Sequence, residues 1–258
     1  MDIFTLIFMV FGFAALIVAF VLEGGVVGAL LQPTAAIIVF GGLIGAVGVS
    51  FPADVLKRLP KIIGVVVRGA KDDRGEILAT LIRLSTVARR DGLLALEQEM
   101  GSDDLDEFMK TGLRLIIDGA DEEVLKLALE TRIINMEHRH EKGIAVFEAT
   151  GGYAPTMGVI GTVMGLVHVL GDLSEPDKLG GKIAVAFIAT LYGVGSANLL
   201  FLPIATKLKE LNSEEILAKN MMMEGLQLLR SGSNPAFMKE QLKGYLENES
   251  ETEAEEGE

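Results

Sequence analysis

Cysteine and tryptophan are both absent from the 258 residues of this sequence. The lack of cysteine excludes disulfide bonds, thiol catalysis and cysteine-ligated metal sites. Basic residues are missing from the N-terminal region, where Lys57 is the first lysine or arginine. Because a secretory signal peptide begins with a basic segment, we interpret the apolar stretch that starts at Ile3 as a retained membrane helix.

Signatures of enzymatic chemistry are missing as well. The chain contains no GxxxxGK[ST] phosphate loop, no HExxH metal pair and no GxSxG nucleophile elbow. His138 and His140 are two residues apart and face different sides of a helix, which does not suit a shared metal ion. The sequence therefore predicts neither an enzyme nor a resident cofactor or metal.

Apolar sequence, in contrast, is abundant and unevenly distributed. Half of the residues are hydrophobic, and they collect in two blocks that charged residues largely avoid. A membrane-spanning helix needs about 20 predominantly apolar residues. Four stretches reach that length, at about 3–22, 34–51, 149–171 and 183–205. The predicted fold class is all-α: a polytopic inner-membrane protein with four transmembrane helices and a cytoplasmic helical domain.

The distribution of basic residues predicts the orientation of these spans. Of the 23 lysines and arginines, residues 52–145 hold 15, residues 206–258 hold 6, and the loop at 172–182 holds 2. Basic residues close to span ends remain in the cytoplasm. We therefore expect a multi-pass protein of the bacterial cytoplasmic (inner) membrane, with both termini in the cytoplasm.

The same features predict the domain organisation. Residues 1–51 form the first two spans, 52–145 a cytoplasmic helical domain, 146–206 the last two spans, and 207–246 a C-terminal cytoplasmic helix. Residues 247–258 contain seven glutamates and no basic residue, which predicts a disordered acidic tail. The net charge of −13, with no compensating basic patch, argues against nucleic acid as a partner.

Small residues recur at helical spacing in the last two spans. Residues of this kind allow close helix packing in a membrane, and they are Ala154, Gly158, Gly161, Gly165 and Gly193. This face packs either within the chain or against a partner helix, and the sequence leaves both open.

Two prolines and two threonines distinguish the same spans. Pro155 and Pro203 each remove a backbone donor from a membrane helix, and Thr162 and Thr190 place hydroxyl groups at mid-span. The hydroxyls suit either a sodium ion or their own helix carbonyls. No Asp, Glu, Lys or Arg lies within any of the four spans. Because cation translocation usually needs such a group, conduction by this chain requires a carboxylate from another polypeptide.

Three segments, in this order, resemble the A subunit of flagellar motor stators. They are ARRDGLLALE at 88–97, YAPTMGVIGTVMGLVHVL at 153–170 and ATLYGVGSANLLFLPIATKL at 189–208. The resemblance is to the MotA/PomA/MotP family, within the MotA/TolQ/ExbB proton-channel superfamily. Together with the four spans and the long insertion between the second and third, it covers about residues 1–245.

The resemblance implies a homopentamer around a dimer of a peptidoglycan-anchored B-type subunit, whose single span carries the essential Asp. Cation flow would then rotate the A subunits and drive the flagellar rotor switch protein. Arg89 and Glu97 match the rotor-contacting residues of the family. Pro155, Pro203, Thr162 and Thr190 match positions of the ion path, and the two hydroxyls favour sodium over protons.

Other classes remain open from the sequence. An ExbB/TolQ-like subunit, powered by the proton-motive force for envelope processes, typically has three spans. A stand-alone transporter should carry its own intramembrane charge or a broken-helix binding site, of which the charge is lacking, and a membrane scaffold would conduct nothing. The roles of Glu148 and His168 are undetermined at this stage.

Overall fold

The computed structural model describes residues 3–69, 73–101, 105–171 and 176–246. All regular secondary structure in these ranges is helical, so the predicted all-α fold class is confirmed. The acidic tail predicted at 247–258 lies outside the described residues. The chain divides into two compact units, one formed by residues 1–69 and 140–210, the other by residues 70–139 and 211–258.

The first unit contains the apolar helices. It begins with α1 (Ile3–Leu22), a 3₁₀ turn (Val27–Leu30), α2 (Pro33–Ala36), a π turn (Ile37–Gly41), α3 (Gly42–Ser50), α4 (Ala53–Leu56) and α5 (Leu59–Arg68). It continues with the later part of α9 (Glu122–Gly171), α10 (Pro176–Ser196), a second π turn (Ala197–Phe201) and the start of α11 (Leu202–Arg230). Four of its helical stretches are long and apolar enough to cross a membrane, as the sequence predicts.

Helix α9 is longer than the sequence pattern indicates. The sequence pattern predicts a helix that runs to about Lys142 and leads to the third span, and α9 continues through that point without a break to Gly171. Pro155 lies inside it. Residues 137–142 are polar but include neither glycine nor proline, so no helix-ending signal lies in this stretch.

The second unit is a helical domain with its own hydrophobic core. It contains α6 (Arg74–Asp91), a 3₁₀ turn (Leu93–Ala95), α7 (Leu96–Glu99), α8 (Glu107–Ile117), the first part of α9, the rest of α11, α12 (Pro235–Leu242) and a last 3₁₀ turn (Lys243–Tyr245). Leu81, Leu113 and Leu226 are fully buried in this core. Gly112 and Gly225 leave no room for a Cβ, because leucine side chains fill that space.

The ends of these helices follow local rules. The Asp106 carboxylate accepts a hydrogen bond from the Phe108 amide at 2.7 Å and caps α8. The single C-terminal helix predicted for 207–246 is divided, because α11 ends at Arg230 and α12 begins at Pro235. Gly232, at φ +72°, ends α11, and the Asn234 side chain caps α12 ahead of Pro235.

Candidate functional site

The small residues of α9 and α10 lie where these two helices touch. A Cβ on Gly158 would lie 2.9 Å from the Ala189 carbonyl oxygen and 3.0 Å from the Thr190 Cα. A Cβ on Gly193 would lie even closer to the Ala154 carbonyl oxygen, and Gly161 and Gly165 face Ala189 and Ala186 of α10. The structure thus places this face against a helix of the same chain.

Because the helices are so close, two hydroxyl groups meet between them. The Thr162 Oγ1 atom lies 2.5 Å from Thr190 Oγ1, 3.0 Å from the Ala186 carbonyl oxygen and 3.1 Å from the Gly158 carbonyl oxygen. The Thr190 hydroxyl lies 3.5 Å from the same Gly158 oxygen. Three oxygen atoms therefore surround the Thr162 hydroxyl, and we call these four atoms the oxygen cluster.

The oxygen cluster has more acceptor capacity than protons. Each hydroxyl carries one proton and two lone pairs, and each carbonyl oxygen has two lone pairs. The backbone amides of α9 and α10 also donate to these two carbonyl oxygens, so the spare acceptor capacity lies mainly on the hydroxyl oxygens of Thr162 and Thr190. Thr162 and Thr190 are half-buried rather than sealed. Monovalent cations in channels and transporters bind carbonyl oxygens of filter loops and unwound helices, whereas Gly158 and Ala186 lie inside the regular helices α9 and α10.

The prolines predicted beside the ion path have different local environments. Pro155 lies within the continuous helix α9. Pro203 is the second residue of α11, directly after the π turn at Ala197–Phe201. Near this turn the Asn198 side-chain amide donates to the Val194 carbonyl at 2.9 Å. The helix is therefore widened one turn before Pro203, a feature that often marks functional positions.

Tyr192 is a residue whose role the sequence pattern does not reveal. Its hydroxyl donates to the Leu30 carbonyl and accepts from the Gln32 amide at 3.1 Å, while its ring stacks on Phe40 at 6.1 Å. It ties the turn between the first two spans to α10, two residues from Thr190. A tyrosine inside an apolar span needs a hydrogen-bond partner, and this requirement is the feature of the sequence that could have indicated a structural role for Tyr192.

Glu148 and His168 lie towards opposite ends of the apolar part of α9. The Glu148 carboxylate forms an ion pair with Lys209 Nζ at 2.5 Å, and both side chains are about half exposed. His168 lines a cavity together with Thr34 and Lys182. Neither residue contacts the oxygen cluster among the interactions of the described residues.

Arg89 and Glu97 lie in the second unit, on either side of a tight turn. Arg89 is in the last turn of α6 and Glu97 in α7, and both side chains are exposed. Gly92, at φ +85°, ends α6 between them. This conformation favours glycine.

The neighbouring charges are paired with each other. Arg90 binds Asp91 at 2.7 Å, which lowers the pKa of the Asp91 carboxyl, and Arg83 pairs with Glu99. Within the described ranges Arg89 and Glu97 have no ion-pair partner.

Comparison with known proteins identifies the family. The model of the MotA/TolQ/ExbB proton channel family matches residues 101–221, and the model of the motility protein A N-terminal region matches residues 6–92. The chain is 39% identical over 96% of its length to YtxD of Bacillus subtilis, covering 92% of that protein. It is 37% identical over 95% of its length to the chemotaxis protein PomA of Vibrio alginolyticus, covering 96% of it.

Solved structures agree with this result. A chain of the flagellar MotAB stator complex from Bacillus subtilis matches with a TM-score of 0.90 and 35% identity, over 96% of this chain and 97% of that one. A chain of C. jejuni MotAB matches with a TM-score of 0.91 and 28% identity, over the same shares of the two chains. The chain belongs to the MotA/PomA group of the MotA/TolQ/ExbB proton channel family. The N-terminal match favours motility protein A over the ExbB/TolQ alternative.

Proposed function

We propose that the chain is the A subunit of a flagellar stator, which forms a cation channel with a B-type subunit and converts ion flow into torque on the flagellar rotor. The observation that carries this proposal is the full-length similarity to chains of MotAB stator complexes. A second observation supports it: the spans contain oxygen ligands but no carboxylate. A partner helix with an Asp would supply the missing charge.

The proposed assembly is a homopentamer around a dimer of the B-type subunit, which is anchored to peptidoglycan. In the inner membrane both termini would face the cytoplasm, since most basic residues flank the spans on that side. The transported cation is the only ion this function requires, and no resident cofactor is proposed. Sodium is favoured over protons because the hydroxyl oxygens of Thr162 and Thr190 lie together and keep spare acceptor capacity.

Torque would be passed on through the second unit. Arg89 and Glu97 are proposed to contact the flagellar rotor switch protein, and their lack of ion-pair partners within the described ranges leaves both charges available. Pro203 and the adjoining π turn would couple occupancy of the ion site to movement of α11. Pro155 would lie beside the same path.

The proposal is tested by rotation speed in cells whose only stator consists of this chain and a B-type subunit. Sodium is titrated at constant pH and ionic strength, and a proton uncoupler is the control. We expect speed to rise with sodium and to persist with the uncoupler. Rotation that ignores sodium and stops with the uncoupler would keep the stator but overturn sodium as its ion. No rotation, with both subunits inserted and the rotor intact, would overturn the stator role itself.

A further inference from the structure

The turn between α6 and α7 presents an apolar side chain to water. Leu94 is 73% exposed and its neighbour Leu93 is 38% exposed, in a unit whose other leucines are mostly buried. Both lie in the 3₁₀ turn Leu93–Ala95. Adjacent exposed leucines at the tip of a turn offer apolar surface that a partner would bury with a gain in free energy.

This turn is held in place from both sides. Leu96, two residues after Leu94, is fully buried and belongs to the core of the second unit. The ion pair between Arg83 of α6 and Glu99 of α7 links the two helices across the turn. Because the backbone is fixed in this way, the exposure of Leu94 is a property of the fold rather than of a loose loop.

Charges of opposite sign flank the patch. Arg89 precedes it and Glu97 follows it, and among the described residues neither has an ion-pair partner. The nearby charges of Arg90 and Asp91 neutralise each other. Along the turn the surface is therefore positive at Arg89, apolar at Leu94 and negative at Glu97. A complementary surface has an acidic group, a shallow apolar pocket and a basic group in the corresponding order.

We propose that Leu94 is the apolar anchor of the contact with the rotor switch protein. The inference rests on the proposed role of Arg89 and Glu97 in that contact. Protein interfaces commonly combine an apolar centre with a polar rim. Rim charges mainly set encounter and register and are screened by salt, whereas apolar burial is not. Leu94 would therefore supply the part of the affinity that survives high ionic strength.

Two substitutions of similar volume separate apolar burial from shape. Leu94→Gln replaces the apolar surface with an amide, and Leu94→Met keeps it. The full chain, assembled with its B-type subunit in lipid nanodiscs, is titrated with purified switch protein at about 50 and 500 mM KCl, where screening differs about threefold in length. Arg89→Ala with Glu97→Ala is measured alongside.

We expect Leu94→Gln to weaken binding about tenfold at both salt concentrations, and Leu94→Met to stay within about twofold of the unsubstituted chain. The double charge variant should be weak at low salt and converge with the unsubstituted chain at high salt. Normal binding by Leu94→Gln beside an impaired charge variant would overturn the anchor while the proposed function stands. Equal losses in Leu94→Met and Leu94→Gln, or a changed oligomer size in Leu94→Gln, would also overturn it. Absence of any binding by the unsubstituted complex would overturn the rotor contact together with the anchor.

Discussion

Thr162 and Thr190 bring their hydroxyl groups together only because glycine occupies position 158. The Gly158 carbonyl oxygen is part of the oxygen cluster, and its missing side chain lets α10 approach. The proposed ion site and the packing of α9 on α10 therefore depend on the same residue. Substitutions of the hydroxyls and of the glycine separate the two effects.

Replacing both hydroxyls with methyl groups should weaken sodium coupling while the helices keep their shape. We expect Thr162→Val with Thr190→Val to raise the sodium concentration for half-maximal rotation about tenfold or more, since two cation ligands are lost. Sodium titration of rotation speed measures this. Thr156→Val is the control, because that exposed hydroxyl bonds only back to the Tyr153 carbonyl. An unchanged sodium dependence in the double variant would exclude the cluster from the path.

A methyl group at Gly158 should force the two helices apart. Its Cβ would lie at 2.9 and 3.0 Å from backbone atoms of α10, which cannot rotate away as a side chain can. We expect Gly158→Ala to lose about 1–3 kcal/mol of stability, as overpacking does, seen as earlier thermal unfolding in detergent. Gly152→Ala is the matched control in the same helix, where nothing lies within 4 Å. Equal stability of the two variants would contradict the close approach.

The residues of the site could be predicted from the sequence more readily than their contacts. Small residues and hydroxyls at helical spacing indicate a packed, polar-lined helix pair. That Thr162 meets Ala186 and Thr190 depends on the register between two helices, which no local pattern contains. The spacing of Tyr192 likewise does not show that its partners are the carbonyl of Leu30 and the amide of Gln32.

At the scale of the element, the π turn at Ala197–Phe201 separates α10 from α11. A π turn holds one residue more than an α-helical turn. Removing Asn198 should therefore restore a regular helix, with thermal stability unchanged or raised and rotation lost. Asn198→Ala is the control, because it keeps the π turn and removes only the bond to Val194. Full rotation after the deletion would show that the widened turn plays no part in movement.

Helix termini show where sequence signals suffice. Gly92, at φ +85°, ends α6, and the Asn234 side chain accepts a hydrogen bond from the Ala236 amide at 3.0 Å where α12 begins. A glycine after a helix and an asparagine before a proline are signals that a sequence displays. The length of α9 could not be predicted from hydropathy, because a helix that leaves an apolar environment loses its apolar pattern but not its backbone hydrogen bonds. The π turns have no distinctive composition, so their positions follow from packing alone.

At the scale of the molecule, the stability of the second unit depends on the titration of Tyr245. Burial, together with the hydrogen bond to Glu224 at 2.8 Å, raises the pKa of Tyr245 to about 12. The folded state thus favours the neutral phenol. Its contribution to stability is complete below the unfolded pKa of about 10 and is lost as pH rises towards 12.

Thermal unfolding between about pH 9 and 12 tests this linkage. We expect the unfolding temperature of the unsubstituted chain to fall more steeply with pH than that of Tyr245→Phe, which has no proton to lose. Both curves should share the losses due to other groups. Parallel curves across this range would show that Tyr245 titrates normally.

The four spans and the class of the fold follow from hydropathy, because the membrane demands long apolar helices. Hydropathy does not predict which segments form the second unit, because its core joins side chains from distant parts of the chain. Leu81 of α6 contacts the region of Gly225 in α11. Pairing of this kind is decided by shape and volume, which a single sequence does not display.

This division has a consequence for synthesis. Residues 70–139 leave the ribosome well before residues 211–246, and the last two spans are made between them. The Leu226 side chain that packs on Gly112 is not made until translation has passed both spans. A nascent chain therefore leaves the part of this core formed by α6, α7 and α8 uncovered while the last two spans are being made.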